Sequence, residues 1–224
     1  MSYVHGLAGQ VLEIARGNAS WMTWNLMLAS IPAGLALVLF WQSHRRTAGW
    51  WLGVGAFALF LPNAPYLLTD LIHLRSDAAA ATSNGALMFG VLPMYAAFVL
   101  LGMGSYVLCT ELIVREVTDV RPGVARVRVE LPVHLLCSIG IVLGRINRLN
   151  SWDTITRPRG TVASVLEALT WRGTPFAIAI AFIAVLTSFT ILRALIVAAD
   201  SWGRDWMARV RGAHAAGDHT PIPI

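Results

Sequence analysis

The sequence predicts an all-α fold: a polytopic transmembrane bundle of about five spans, with interfacial helices in the N-terminal segment and the long fourth loop. Three observations predict it. Of 224 residues, 56% are hydrophobic and 13% charged, with a mean hydropathy of +0.62, whereas a soluble domain carries about 25% charged residues. Five apolar runs reach or approach the roughly 20 residues that a helix needs to cross the hydrocarbon core. All nine tryptophans lie at or just outside the ends of those runs, where an indole ring is half buried and its N–H stays wet.

The same arithmetic excludes a soluble single domain and a disordered chain as first readings. A pI near 10 would suit nucleic acid, but all 17 basic residues are arginine and they sit in short loops between apolar runs. Membrane topology explains that distribution better than a nucleic-acid face does. The two cysteines, Cys109 and Cys137, lie in apolar stretches without metal-binding spacing and read as small packing residues.

The first span is expected over residues 21–41. The sixteen residues at the start are too polar to span and lack the basic start and small-residue cleavage site of a signal peptide; they suggest a short interfacial helix burying Leu7, Val11, Ile14 and Ala15. The second span covers 50–68 and the third 85–109. The fourth, 131–149, is weaker because it carries His134 and Arg145. The fifth covers 174–199, and from residue 200 a polar, flexible tail is expected, so residues 1–199 form one transmembrane domain. No internal repeat supports a transporter built from inverted halves.

Five spans put the termini on opposite sides. Seven arginines (16, 75, 145, 148, 157, 159 and 172) fall on the side of the N-terminus and ten on the other, which favours an N-terminus outside and a C-terminus inside.

The informative residues are polar groups inside or at the mouth of apolar spans, since burial without a partner costs several kcal/mol. The second span ends in Leu61-Pro62-Asn63-Ala64-Pro65-Tyr66-Leu67-Leu68-Thr69-Asp70-Leu71-Ile72-His73. Two prolines three apart predict a kink or break that frees backbone carbonyls. Asn63, Tyr66, Asp70 and His73, spaced by three, four and three, share one helical face. The fourth span carries a second polar stripe, Glu130, His134, Ser138, Arg145 and Arg148, and its other side bears Gly140 and Gly144, a small-residue pair that admits a close neighbour. Asn150-Ser151-Trp152-Asp153 follows as a turn or helix cap. In a five-span chain both stretches emerge on one side of the membrane, as does Asn25 near the start of the first span.

The run from Leu61 to Leu74, paired with Gly144-Arg145 and Asn150-Ser151-Trp152-Asp153, resembles domain-of-unknown-function family 1361, a family of bacterial integral membrane proteins. The resemblance covers the chain from about the first span to the fifth. It implies a multi-span helical fold in the bacterial cytoplasmic (inner) membrane and supplies no activity.

The residues themselves support several readings. Asp70, His73 and Asp153 form a candidate catalytic set, in which Asp70 orients His73 as a proton carrier. Asn25, Asn63, Tyr66, Arg145, Arg148 and Asn150 form a candidate binding set, with Arg145 gripping an anion. The expected substrate is a lipid or lipid-linked anionic molecule of the cell envelope. The same charges suit a purely structural ion-pair network. A metal site made from Asp70, His73 and His134 lacks any recognised ligand spacing, and no cofactor is expected. A small oligomeric transporter, with a path lined by Asn63, Tyr66, His134 and Ser138, and a non-catalytic partner in a membrane complex are the alternatives. The expected surroundings are the bilayer, with no nucleic-acid partner.

Overall fold

The computed structural model describes residues 2–41, 46–147 and 156–217. Their regular elements are all helical, with no strand among them: α1 (Ser2–Phe40), α2 (Ala48–Phe60), α3 (Asn63–Tyr66), α4 (Ile72–Ala80), α5 (Leu92–Val120), α6 (Val127–Asn147), α7 (Pro158–Thr170) and α8 (Thr174–Gly217). A 3-10 segment, Leu67–Leu71, joins α3 to α4. A single turn, Asn84–Ala86, and a π-helical turn, Leu87–Val91, lead into α5.

Five stretches are long and apolar enough to cross a membrane: Gly6–Phe40, Ala48–Ala80, Asn84–Val120, Val127–Arg145 and Thr174–Ala208. At most 39% of the most apolar window of any of them is buried within the protein, and large side chains such as Leu52, Phe89 and Phe176 are more than 70% exposed. A soluble monomer does not present apolar surface on that scale. The fold is that of a multi-pass helical membrane protein, its outer surface matched to lipid.

α1 lies centrally, against α2 and α5, while α8 packs on α6 and α5. Asn18, Met22, Ala29, Pro32 and Ala36 form a buried stripe along α1 at helical spacing. Two buried clusters fill the interior. One joins Ala36, Phe57, Leu61, Met103, Tyr106 and Ile141 to Val185 and Phe189 of α8; the other joins Met22, Ala29 and Leu67 to Val91, Tyr95 and Phe98. Pro32 inside α1 removes an N–H from its backbone ladder. One turn away, the Ser105 hydroxyl of α5 donates to the Ala29 carbonyl at 2.7 Å, as membrane helices satisfy backbone loosened by proline.

The element boundaries depart from the sequence expectation in four places. The N-terminal segment is no separate interfacial helix but the start of α1, because no proline or turn sequence interrupts residues 2–20. α5 runs on to Val120, well past residue 109, and so carries Glu111 and Glu116 on its extra turns. The second apolar stretch, broken at Pro62 as its prolines predict, runs on to Ala80 rather than ending at 68. The last helix continues through the expected tail to Gly217, its Ala, Arg, Met and Trp residues being compatible with helix. In the fourth loop α7 forms as expected, with Pro158 in its first turn.

Candidate functional site

The site begins with the proline break. Pro65 has no N–H for the Leu61 carbonyl, so the Ala64 N–H takes it at 3.2 Å, and the Tyr66 N–H bonds the Pro62 carbonyl at 3.1 Å. The Phe60 carbonyl, which Ala64 would otherwise have bonded, accepts from Asn63 Nδ2 at 2.9 Å. Asn63 thus satisfies the backbone at the break that its neighbouring prolines create. The rewound segment fits only because its neighbours are small. A Cβ on Gly140 of α6 would stand 2.6 Å from the Pro62 ring, and one on Gly102 of α5 would stand 2.9 Å from the Ala64 carbonyl. Gly140 therefore acts as the expected close-approach residue.

The break turns Tyr66 and Asp70 toward the end of α6. Arg145 Nη1 lies 3.3 Å from both the Tyr66 hydroxyl and Asp70 Oδ1, and Nη2 donates to the Thr69 carbonyl at 3.3 Å. The guanidinium also lies over the Tyr66 ring, 5.8 Å from its centroid. Asn25 Nδ2 donates to the second carboxylate oxygen of Asp70 at 2.8 Å. Asp70 is only 3% exposed, so its charge is matched by one cation and one amide, as a buried carboxylate requires. Three separate parts of the chain, α1, the 3-10 segment and α6, meet at this carboxylate.

In front of the pair lies a cavity of about 740 Å³. Asn25, Asn63, Tyr66, His73, Arg145 and Thr161 supply polar groups, and Leu28, Leu59, Leu143 and Val165 much of its apolar wall. Apolar walls joined to several placed polar groups are what a small-molecule site offers. Asp70 is absent from the lining; it stands behind Arg145 and Asn25. Exposed His73 sits against Trp21, with ring centroids 5.1 Å apart.

The structure therefore brings together Asn25, Asn63, Tyr66, Asp70, His73 and Arg145. Arg148, Asn150 and Asp153 lie outside the described residues. The hydrogen bonds of Asp70 go to Asn25 and Arg145, and among the described residues none joins it to His73, so the side chain that Asp70 holds in place is Arg145 rather than His73. His134 and Ser138 do not reach the cavity. His134 is fully buried, with Nδ1 2.6 Å from the Tyr106 hydroxyl and its ring against Phe189, and Ser138 bonds the His134 carbonyl. That position separates His134 from a metal set with His73 and from a path shared with Asn63 and Tyr66. The polar stripe of α6 is real, but it runs the length of the bundle.

Sequence reasoning missed Asp77. Its Oδ2 accepts from Asn18 Nδ2 at 2.6 Å and from the Tyr95 hydroxyl at 2.9 Å, and Trp21 Nε1 donates to Asn18 at 2.8 Å. Asp77 continues the spacing of Asp70 and His73 by one more turn, a signal that was present. It missed Glu111 too, which pairs with Arg126 and Arg193 at the opposite end of the bundle.

No curated protein and no solved structure matches the chain. Residues 24–187, which hold every described residue of the cavity and three of the five spans in full, match the family described as protein of unknown function (DUF1361). The chain belongs to that family.

Proposed function

We propose that this chain is a multi-pass protein of the bacterial inner membrane, with its N-terminus outside and its C-terminus inside, whose cavity binds a lipid or lipid-linked anionic substrate of the envelope. One observation carries the reading: a fixed arginine at the wall of a cavity that also presents the aliphatic side chains of Leu28, Leu59, Leu143 and Val165. Arg145 is held from behind by Asp70, Tyr66 and the Thr69 carbonyl through Nη1 and Nη2, all at 3.3 Å. These are long for charge-assisted bonds, which run at about 2.7–2.9 Å. A guanidinium has five N–H donors, so a phosphate in the cavity adds bonds without displacing Asp70. Leu28, Leu59, Leu143 and Val165 suit the hydrocarbon that follows such a headgroup. If the bound lipid is also chemically modified, His73 at the mouth is the group placed to move a proton.

The test must separate ligand binding from a structural ion pair, since removing Arg145 alone leaves a buried carboxylate. The double variant Asp70→Asn with Arg145→Gln removes both charges and keeps polar groups in both places. Purified protein in nanodiscs of zwitterionic lipid is titrated with a polyprenyl phosphate and with the corresponding neutral polyprenol. The native protein is expected to prefer the phosphate at least about ten-fold, equivalent to one charge-assisted bond, and the folded double variant to lose that preference. A folded double variant that keeps it overturns the reading in favour of a structural lock.

A further inference from the structure

We infer that the opposite end of the bundle holds a second lipid site, a groove between α2, α5 and α6 that takes one acyl chain of an anionic phospholipid, with Arg46 and Arg121 on its phosphate. α2 packs chiefly along α1, and where it diverges from α5 and α6 a groove of about 400 Å³ opens. Phe57, Ala58, Leu61, Val117, Val133 and Leu136 line its length. The charged residues of the lining are Arg46, Glu116 and Arg121, so cations outnumber anions there.

The two arginines differ in a way that suits a headgroup. Arg46 is fixed: Nη2 bonds Glu116 Oε1 at 2.8 Å, and its guanidinium lies 5.4 Å from the centre of the Trp50 ring. Trp50 in turn donates to the Leu39 carbonyl at 3.2 Å. Arg121 is exposed, and no carboxylate pairs with it among the described residues. It stands at the C-terminal end of α5, with Trp51 exposed nearby in the lining, the residue type that marks the headgroup layer. An apolar channel that ends at two arginines and two tryptophans matches a molecule with a hydrocarbon chain at one end and a phosphate anion at the other. A zwitterionic lipid offers the same chain but no net charge for Arg121, so the headgroup decides occupancy.

The site is tested on the whole protein, exchanged into nanodiscs of phosphatidylcholine with a small fraction of phosphatidylglycerol, by native mass spectrometry of the retained lipid. Native protein is expected to retain phosphatidylglycerol over phosphatidylcholine. Arg121→Gln, which breaks no ion pair among the described residues, should reduce that preference about five-fold, the effect of one arginine near an anionic surface. Ala58→Trp, which fills the groove without touching its charge, should abolish the share of phosphatidylglycerol retention that Arg121→Gln weakens. Retention unchanged in both variants, or equal retention of the two lipids by native protein, overturns the proposal. In the background of the Asp70→Asn, Arg145→Gln double variant, the phosphatidylglycerol still retained should fall with Arg121→Gln as it does in the native protein, so failure of the cavity reading and failure of this one give different results.

Discussion

The two ends of the bundle use arginine differently. At one end Arg126 grips Glu111 with both terminal nitrogens and Glu130 through Nε at 2.5 Å, while Arg193 adds a second bond to Glu111 at 2.8 Å. Two arginines and two carboxylates from α5, α6, α8 and the loop before α6 close on each other. At the other end Arg145 meets one carboxylate and two neutral oxygens, all at 3.3 Å, beside an open cavity. The first arrangement is a staple in which each arginine bond ends on a carboxylate at short range. The second is a cation held in position with capacity to spare. Arginine content alone would not have distinguished them; the length of the bonds and the space in front do.

Stability measurements in detergent or nanodiscs can break this comparison. The largest effect is expected for Arg145→Gln alone, about 3 kcal/mol, because Asp70 is left buried with only Asn25 as partner. Adding Asp70→Asn should restore at least about 1 kcal/mol of that loss, a coupling typical of residues in direct contact; purely additive losses would deny that the pair exists. Gly140→Ala should cost about 1–3 kcal/mol by overpacking, since its Cβ would press on the rigid Pro62 ring, and it should weaken phosphate binding as the break shifts. Glu111→Gln should cost about 1 kcal/mol, discounted because Glu111 and both its arginines are 31–38% exposed. Phosphate binding at the distant cavity should not change; if it does, the two ends are coupled and the contrast fails. Thr47→Ala, which removes the side-chain cap of α2 at 3.3 Å, should cost about 0.5 kcal/mol and leave both lipid sites occupied.

How much of this was written in the sequence depends on the range of the interaction. Five spans were legible because a membrane helix is specified by its own composition. The break was legible because Pro62 and Pro65 act on their own backbone. The face shared by Asn63, Tyr66, Asp70 and His73 was legible as a spacing, but its division was not. Asp70 turns inward and His73 out to the cavity mouth, because the rewinding to a 3-10 segment changes the angular step per residue. The bonds between helices were the least legible. Nothing local tells Asn25 to meet Asp70, or Asn18 and Tyr95 to meet Asp77. Arg126 and Arg193 had a sufficient explanation as topology signals, which hid their role on Glu111.

α8 has 44 residues, which at 1.5 Å each make a rod about 66 Å long, roughly twice the hydrocarbon thickness of a bilayer. Only 11% of its most apolar stretch is buried in the protein, although α8 packs on α6, α5 and α7. By length alone, such a rod carries its far residues well beyond the bundle that holds it.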